Sequence, residues 1–192
     1  IGDTADQIEK AGAELRLGEH YLDNLEVDII FRTPGMNWNL PELETARKKG
    51  IAVTSEMEVF FDLCPATIFA VTGSDGKTTT TTLIAKMLEA EGKTVHVGGN
   101  IGRPLLPMIE QIKPEDYVVV ELSSFQLMKL SQSPDIAVIT NIGICHIELL
   151  GSRENILKAK LEAVDALTAD GTAILNGDDD MLSTVKTDKK TL

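Results

Sequence analysis

The sequence is short of three things, and each shortage removes a class of function. Cysteine occurs only at Cys64 and Cys145, far apart and with neither the spacing of a disulfide framework nor that of a zinc site, so both read as reduced thiols. No apolar run approaches the roughly 20 residues needed to cross a bilayer, and no signal-peptide pattern opens the chain. Together these point to the cytoplasm and away from a membrane partner. Basic residues are outnumbered, with 18 Lys and Arg against 30 Asp and Glu, and the net charge of −12 repels phosphate backbones and anionic lipid. Nucleic acid is therefore a poor partner. A small phosphorylated ligand is not excluded, because a few backbone amides and one lysine bind it locally whatever the global charge. An initiator Met is lacking too, and residues 178–192 run out in polar sequence, so the chain is expected to be a fragment.

What is present is an alternation. Short apolar runs at residues 27–31, 67–71, 94–97, 117–121, 136–140 and 172–175 are separated by stretches of helical length and spacing at 40–49, 77–91 and 153–167. This order predicts an α/β protein with parallel sheets covered by helices, its strands buried on both faces. In the helix at 77–91, Leu83, Ile84, Met87 and Leu88 fall on one face and are the expected core positions. There is no internal repeat. Proline at position 65 disfavours helix continuation just before a new strand, so a boundary is expected there. It gives a leading unit of residues 1–65, without an opening strand of its own, and a larger unit of 66–192.

The chemistry concentrates after the strand at 67–71. There the chain reads Thr-Gly-Ser-Asp-Gly-Lys-Thr-Thr, a glycine turn between a strand and a helix start, which is the context a phosphate-binding loop requires. Gly73 and Gly76 allow φ > 0, and Ser74 and Asp75 lie between them; backbone N–H groups and the start of the helix then face a polyphosphate. Lys77 would neutralise the β and γ phosphates, Thr78 would sit on a bound Mg2+, and Thr79 completes the segment. Val71 stands where the longer GxxxxGK[ST] form has its first glycine, so the loop is a short variant.

Other residues are candidates by position. Glu121 ends an apolar strand, and a carboxylate at the carboxyl end of a parallel strand points into the ligand crevice, where it can hold Mg2+. His146 follows the strand at 136–140 in a glycine-containing turn and can reach the same crevice. His20 and His96 have no such setting. Lys160 lies on a helix with an apolar opposite face, and spacing alone makes it a solvated lysine. Gly98, Gly99 and Gly102 around Asn100 imply a tight loop or a close backbone approach. Thr33-Pro34-Gly35 follows the strand at 27–31 in the same manner, and Trp38 nearby reads as packing.

Taken together, GSDGKTTTT from Gly73, GGNIG from Gly98 and ELSSFQL from Glu121 resemble the Mur ligase family of bacterial cell-wall synthesis, specifically its D-glutamate-adding members. Upstream, Asp3-Thr4 and Thr33-Pro34-Gly35 resemble the family's uridine-nucleotide-binding segments, with TPG in place of SPG. From about residue 141 the match resembles D-alanyl-D-alanine-adding members instead, because Lys160 stands fourteen residues beyond His146, one fewer than in the D-glutamate pattern. A divergent ligase or a join near Asn141 would each give this.

The resemblance implies an ATP- and Mg2+-dependent amide ligase working through an acyl phosphate. Its partners would be a UDP-muramoyl substrate and an amino acid. It implies a partial UDP-sugar-binding domain ahead of a partial ATPase domain, with a third domain absent and the isolated chain inactive. Lys77, His146 and Lys160 would be catalytic; Thr78, Glu121, His146 and a carbamylated Lys160 would hold metal. Asp3, Thr4, Thr33, Pro34, Gly35, Asn100 and Ser123 would contact the UDP-sugar. Two rivals stand beside it: a folylpolyglutamate-synthetase-like ligase, which shares the loop, and a nucleotide-binding fragment without turnover.

Overall fold

The computed structural model describes residues 2–127, 134–144 and 147–192. They divide into two units, one within residues 1–31 and 36–54 and one of residues 32–35 and 55–192. The first contains α1 (Gly2–Lys10), β1 (Ile29–Phe31), α2 (Pro41–Lys48) and β2 (Ala52–Thr54). β1 and β2 pair in parallel, Ile29 opposite Ala52 and Phe31 opposite Thr54, and α2 is the crossover that parallel pairing requires. Pro41 starts α2 where a missing N–H costs nothing. Glu42 and Glu44 in the first turn and Arg47 and Lys48 in the last oppose the helix-end charges. Trp38 packs as expected: the Arg47 guanidinium lies 4.6 Å from its ring centroid and donates to its carbonyl at 2.9 Å. The expected two-sided burial fails at β1, where Ile29 and Phe31 are 53% and 54% exposed. Successive strand side chains alternate in direction, and within this unit only the Ile30 side is partly covered.

The second unit opens with α3 (Glu56–Leu63), capped by the Ser55 hydroxyl accepting from Glu58 N. The helix ends before Pro65 as expected, yet Met57, Phe60 and Phe61 pack into one core with Ile68 and Ala70. The division therefore falls before Ser55 and not near Pro65: the proline ends a helix, and the helix belongs with the strand that follows it. Next come β3 (Thr67–Thr72), α4 (Lys77–Ala90), β4 (Val95–Gly99), β5 (Tyr117–Glu121), α5 (Ser124–Leu127), β6 (Ile136–Ile139), α6 (Ile147–Leu150), α7 (Arg153–Asp165), β7 (Thr172–Leu175) and β8 (Lys190–Thr191). The six strands form one sheet in the order β4-β5-β3-β6-β7-β8, and all its pairings are parallel.

Side-chain alternation builds a core on each face of this sheet. Ile68, Ala70, Val118, Val120, Ala137 and Ile139 pack with α3 and α7, whereas Val71, Val119 and Val138 pack with α4. The expected inner face of α4 needs correction: Leu83 and Met87 are 56% and 68% exposed, and Thr81 and Ala85 are the buried positions. The side of the helix that meets the sheet thus carries small side chains, Ala85 packing with Val71, Val119 and Val138. Ile84 and Leu88 pack at the margin of that contact.

This topology places the site. From β3 the chain moves to β4 and β5 on one side, then to β6, β7 and β8 on the other, so the winding reverses at β3. Loops leaving β3, β5 and β6 in opposite directions open a crevice at their carboxyl ends. Among the described residues no helix is long and apolar enough to cross a membrane.

Candidate active site

The loop after β3 is shaped by two glycines. Gly73 has φ 148°, and a Cβ there would collide with the Thr140 hydroxyl; Gly76 has φ 77° and is the N-cap of α4. Gly76 supplies no side-chain cap, and the first turn of α4 has no acidic residue, so that helix end keeps its positive character for an external anion. Lys77 curls over the loop, Nζ donating to the carbonyls of Gly73 and Ser74 at 2.9 Å each. Thr79 is exposed on the first turn.

Beneath the helix start lies Glu121, only 2% exposed, at the end of β5. Its Oε2 accepts from the Thr78 hydroxyl at 2.8 Å and its Oε1 from the Asn100 amide at 3.3 Å. Asn100 is delivered by β4, which runs two residues beyond its expected end, through Gly98 and Gly99. Gly99 has φ 95°, and a Cβ there would meet the Glu121 carbonyl, to which Asn100 N donates at 2.8 Å. The glycines thus lie within a strand end pressed against β5, the close backbone approach that their number implied.

The other sequence candidates separate into three groups. Lys160 is buried, at 4% exposure, which overturns the solvated reading drawn from spacing; Nζ donates to the Ser124 hydroxyl at 3.2 Å, three residues beyond Glu121. Ser123 is half-buried, its N and Oγ both donating to Gln126 Oε1 at 2.9 Å. Thr33, Pro34 and Gly35 form an exposed turn. Thr4 is exposed on α1, whose backbone includes Asp3, but the Asp3 side chain and all of His146 and Cys145 lie outside the described residues. Among the described residues no three His, Cys, Asp or Glu side chains converge.

Sequence reasoning missed the segment after β6. Asn141 O accepts from Ser74 N at 3.0 Å, Asn141 Oδ1 accepts from Asp75 N at 2.9 Å, and Thr140 Oγ1 donates to Asp75 O at 2.6 Å. Gly143 N donates to Ser74 Oγ at 2.8 Å. The phosphate-type loop therefore rests on residues 140–143, and this is why β6 ends one residue before its expected limit, with Thr140 turned to the loop. The available signal was topological: in a reversing sheet the loop from the strand beside β3 abuts the loop from β3 itself.

His96 belongs elsewhere. Its Nε2 lies 2.9 Å from Asp116 Oδ2, just before β5 and so at the amino ends of the strands, away from the crevice. The His96 hydrogen bond and the Lys113 amide hold the Asp116 carboxyl below its ordinary pKa.

Comparison with known proteins accords with this geometry. The family description "Mur ligase middle domain" matches residues 71–191. The chain is 52% identical over 179 residues to the UDP-N-acetylmuramoylalanine--D-glutamate ligase of Acetivibrio thermocellus, covering 93% of this chain and 38% of that protein. It is 46% identical over 182 residues to the ligase of that name from Clostridium botulinum strain Loch Maree, covering 94% and 40%. The chain thus spans about two fifths of the length of these relatives, at 38% and 40%. Because 93% of the chain matches one such protein, the match runs through Asn141. Among solved structures it is similar to the MurF ligase from Thermotoga maritima in complex with ADP, with a TM-score of 0.58, 26% identity, and coverage of 85% of this chain and 40% of that one. A murein peptide ligase from Psychrobacter arcticus is similar in fold, with a TM-score of 0.56 at 18% identity, covering 100% and 45%.

Proposed function

The chain belongs to the Mur ligase family, and from that premise we propose that it forms the nucleotide-binding part of an ATP-dependent ligase joining D-glutamate to UDP-N-acetylmuramoyl-L-alanine. The observation that carries this reading is Glu121, a buried acid whose described partners, Thr78 and Asn100, are both neutral. A buried carboxylate held by neutral donors such as these is a ready ligand for a divalent cation beside Thr78, whose charge offsets the cost of burying it. The donor set fits Mg2+: a carboxylate and a hydroxyl at the mouth of a phosphate-type loop are the hard oxygen ligands that this ion takes together with phosphate oxygens.

Bound Mg2+ would neutralise charge on the phosphoryl group transferred to the substrate carboxylate. The chain's own residues supply the positioning. Within residues 73–79 the Ser74 and Asp75 amides hold the loop to Asn141, and the terminal phosphates of ATP meet the backbone amides at the start of α4. The Lys77 ammonium, now bonded to Gly73 and Ser74 carbonyls, turns from them to the β and γ oxygens. His146 and Lys160 complete the metal set in this reading, Lys160 as a carbamate formed when its neutral amine adds carbon dioxide and loses a proton. Asp3, Thr4, Thr33, Pro34, Gly35, Asn100 and Ser123 would contact the UDP-sugar.

The amino acid is assigned on sequence likeness: the D-glutamate ligases are 52% and 46% identical, against 26% for the MurF structure. In a protein carrying this chain, phosphate release from ATP should need UDP-N-acetylmuramoyl-L-alanine and D-glutamate together. Release that ignores D-glutamate and follows D-alanyl-D-alanine would overturn the assignment.

A further inference from the structure

Residues 140–143 touch the phosphate-type loop on one side only. On their other side Ile142, almost fully buried, is gripped through its backbone: its N–H donates to Asp179 Oδ2 at 2.8 Å and its carbonyl accepts from Arg153 Nη2 at 2.7 Å. Arg153 is fixed in turn by Asp180, Nη2 to Oδ1 at 2.7 Å and Nη1 to Oδ2 at 3.0 Å. The second oxygen of Asp179 accepts from Met181 N and Leu182 N at 3.0 and 2.9 Å, and Asn176 Nδ2 donates to Thr140 O at 2.9 Å. The hydrogen bonds alternate along the segment. Asn141 and Gly143 bond to Ser74 and Asp75, while Ile142 between them bonds away to the loop after β7 and the start of α7. A displacement of Ile142 must therefore carry both neighbours, and with them the loop.

We propose that Asp179 and Arg153 are positioning residues for the phosphate-type loop, acting through the backbone of Ile142. The inference rests on reading residues 73–79 as the nucleotide site. Two chemical features support it. The Asp179 carboxylate serves Ile142 with one oxygen and the turn at 181–182 with the other, so an amide in its place can satisfy only one of the two. The planar Arg153 fork reaches Asp180 and Ile142 at once, which a lysine ammonium cannot reproduce. Arg153 is also the first residue of α7, which bears Lys160 two turns later, about 10 Å along the axis. The same clamp therefore sets the register between the loop and the helix carrying Lys160.

Two measurements on the full chain test this. Asp179→Asn and Arg153→Lys should each speed amide hydrogen exchange at Ser74 and Asp75 about tenfold, the size of one lost charge-assisted hydrogen bond. Exchange at Val119, in the middle of β5, should not change. Each variant should also bind MgADP about tenfold more weakly by calorimetry well below its thermal midpoint. Unchanged exchange at Ser74 and Asp75 overturns the proposal whatever the nucleotide does. Faster exchange with unchanged MgADP affinity overturns it if Lys77→Ala abolishes binding. If Lys77→Ala binds MgADP normally, the reading of the loop is what fails. Should Asp179→Asn not fold, Arg153→Lys reads the same two quantities.

Discussion

Gly73 and Gly76 bracket one turn but are glycines for different reasons. At Gly76 the positive φ is the constraint, since a Cβ there would enter open space; at Gly73 a Cβ would also run into Thr140. Gly76→Ala should therefore cost about 1–2 kcal/mol, the left-handed penalty alone. Gly73→Ala should cost more, about 3 kcal/mol or above, because the strand end must also shift. Thermal unfolding of the two variants checks the order, and equal midpoints would remove the role given to Thr140. Lys160 makes the sharper functional case. Lys160, buried at 4% exposure with Nζ donating to the Ser124 hydroxyl three residues beyond Glu121, is the residue for which the proposed metal role and a packing role predict different outcomes. In a protein carrying this chain, Lys160→Ala should abolish turnover, and a small carboxylic acid should restore part of it by supplying the lost negative charge. Full turnover in the variant would return Lys160 to a packing role.

At the scale of elements, α4 shows which signals a sequence transmits well. Its start is legible, because a short glycine turn, Gly73 to Gly76, separates Lys77 from the end of β3. Its inner face was not: hydropathy selects Leu83 and Met87, whereas close packing on a sheet selects Thr81 and Ala85. Leu83→Glu and Met87→Glu should each change stability by no more than about 0.5 kcal/mol, while Ala85→Leu should cost about 1–3 kcal/mol through overpacking. Urea unfolding of the three variants decides between the faces. Strands followed a similar rule. β5 and β7 match their expected limits at both ends, since continuous apolar runs bounded by turn residues fix a buried parallel strand. β4 and β6 depart from their expected limits at the crevice, where Gly99 and Thr140 answer to Glu121 and Asp75 and not to local propensity. The loop after β6 was illegible as a support for residues 73–76 because its partners lie 65 to 69 positions away, and only the strand order joins them. The expected boundary near Pro65 differs from the observed one before Ser55 for a related reason: proline marks where a helix stops, not where a core divides.

For the whole molecule, the distribution of lowered carboxyl pKa values sets the response to acid. Asp116 is held down by His96 and the Lys113 amide at the amino ends of β4 and β5. Asp180 is held down by Arg153 at the opposite end of the sheet. At Asp179 burial pushes upward, but the amides of Ile142, Leu182 and Met181 outweigh it, and the carboxyl again lies below its ordinary value. A folded pKa below the unfolded value, about 3.9 for aspartate, gives stability that is complete above the unfolded pKa and drains away as pH falls through the folded one. The large negative charge works the other way, since partial neutralisation of a chain at −12 relieves self-repulsion before any of these groups is protonated. The urea midpoint followed by circular dichroism should therefore be level or slightly rising from about pH 7 to pH 5 and fall below about pH 4. Asp116→Asn separates the two effects. It removes one of the groups whose protonation opposes the fold and only one of thirty acids, so repulsion is nearly unchanged. The variant should be less stable than the wild type at neutral pH, and the gap should close as pH falls, because the wild type then loses the interaction the variant never had. A gap that stays constant down to pH values where the wild type unfolds would mean that the His96 and Lys113 contacts do not govern acid stability.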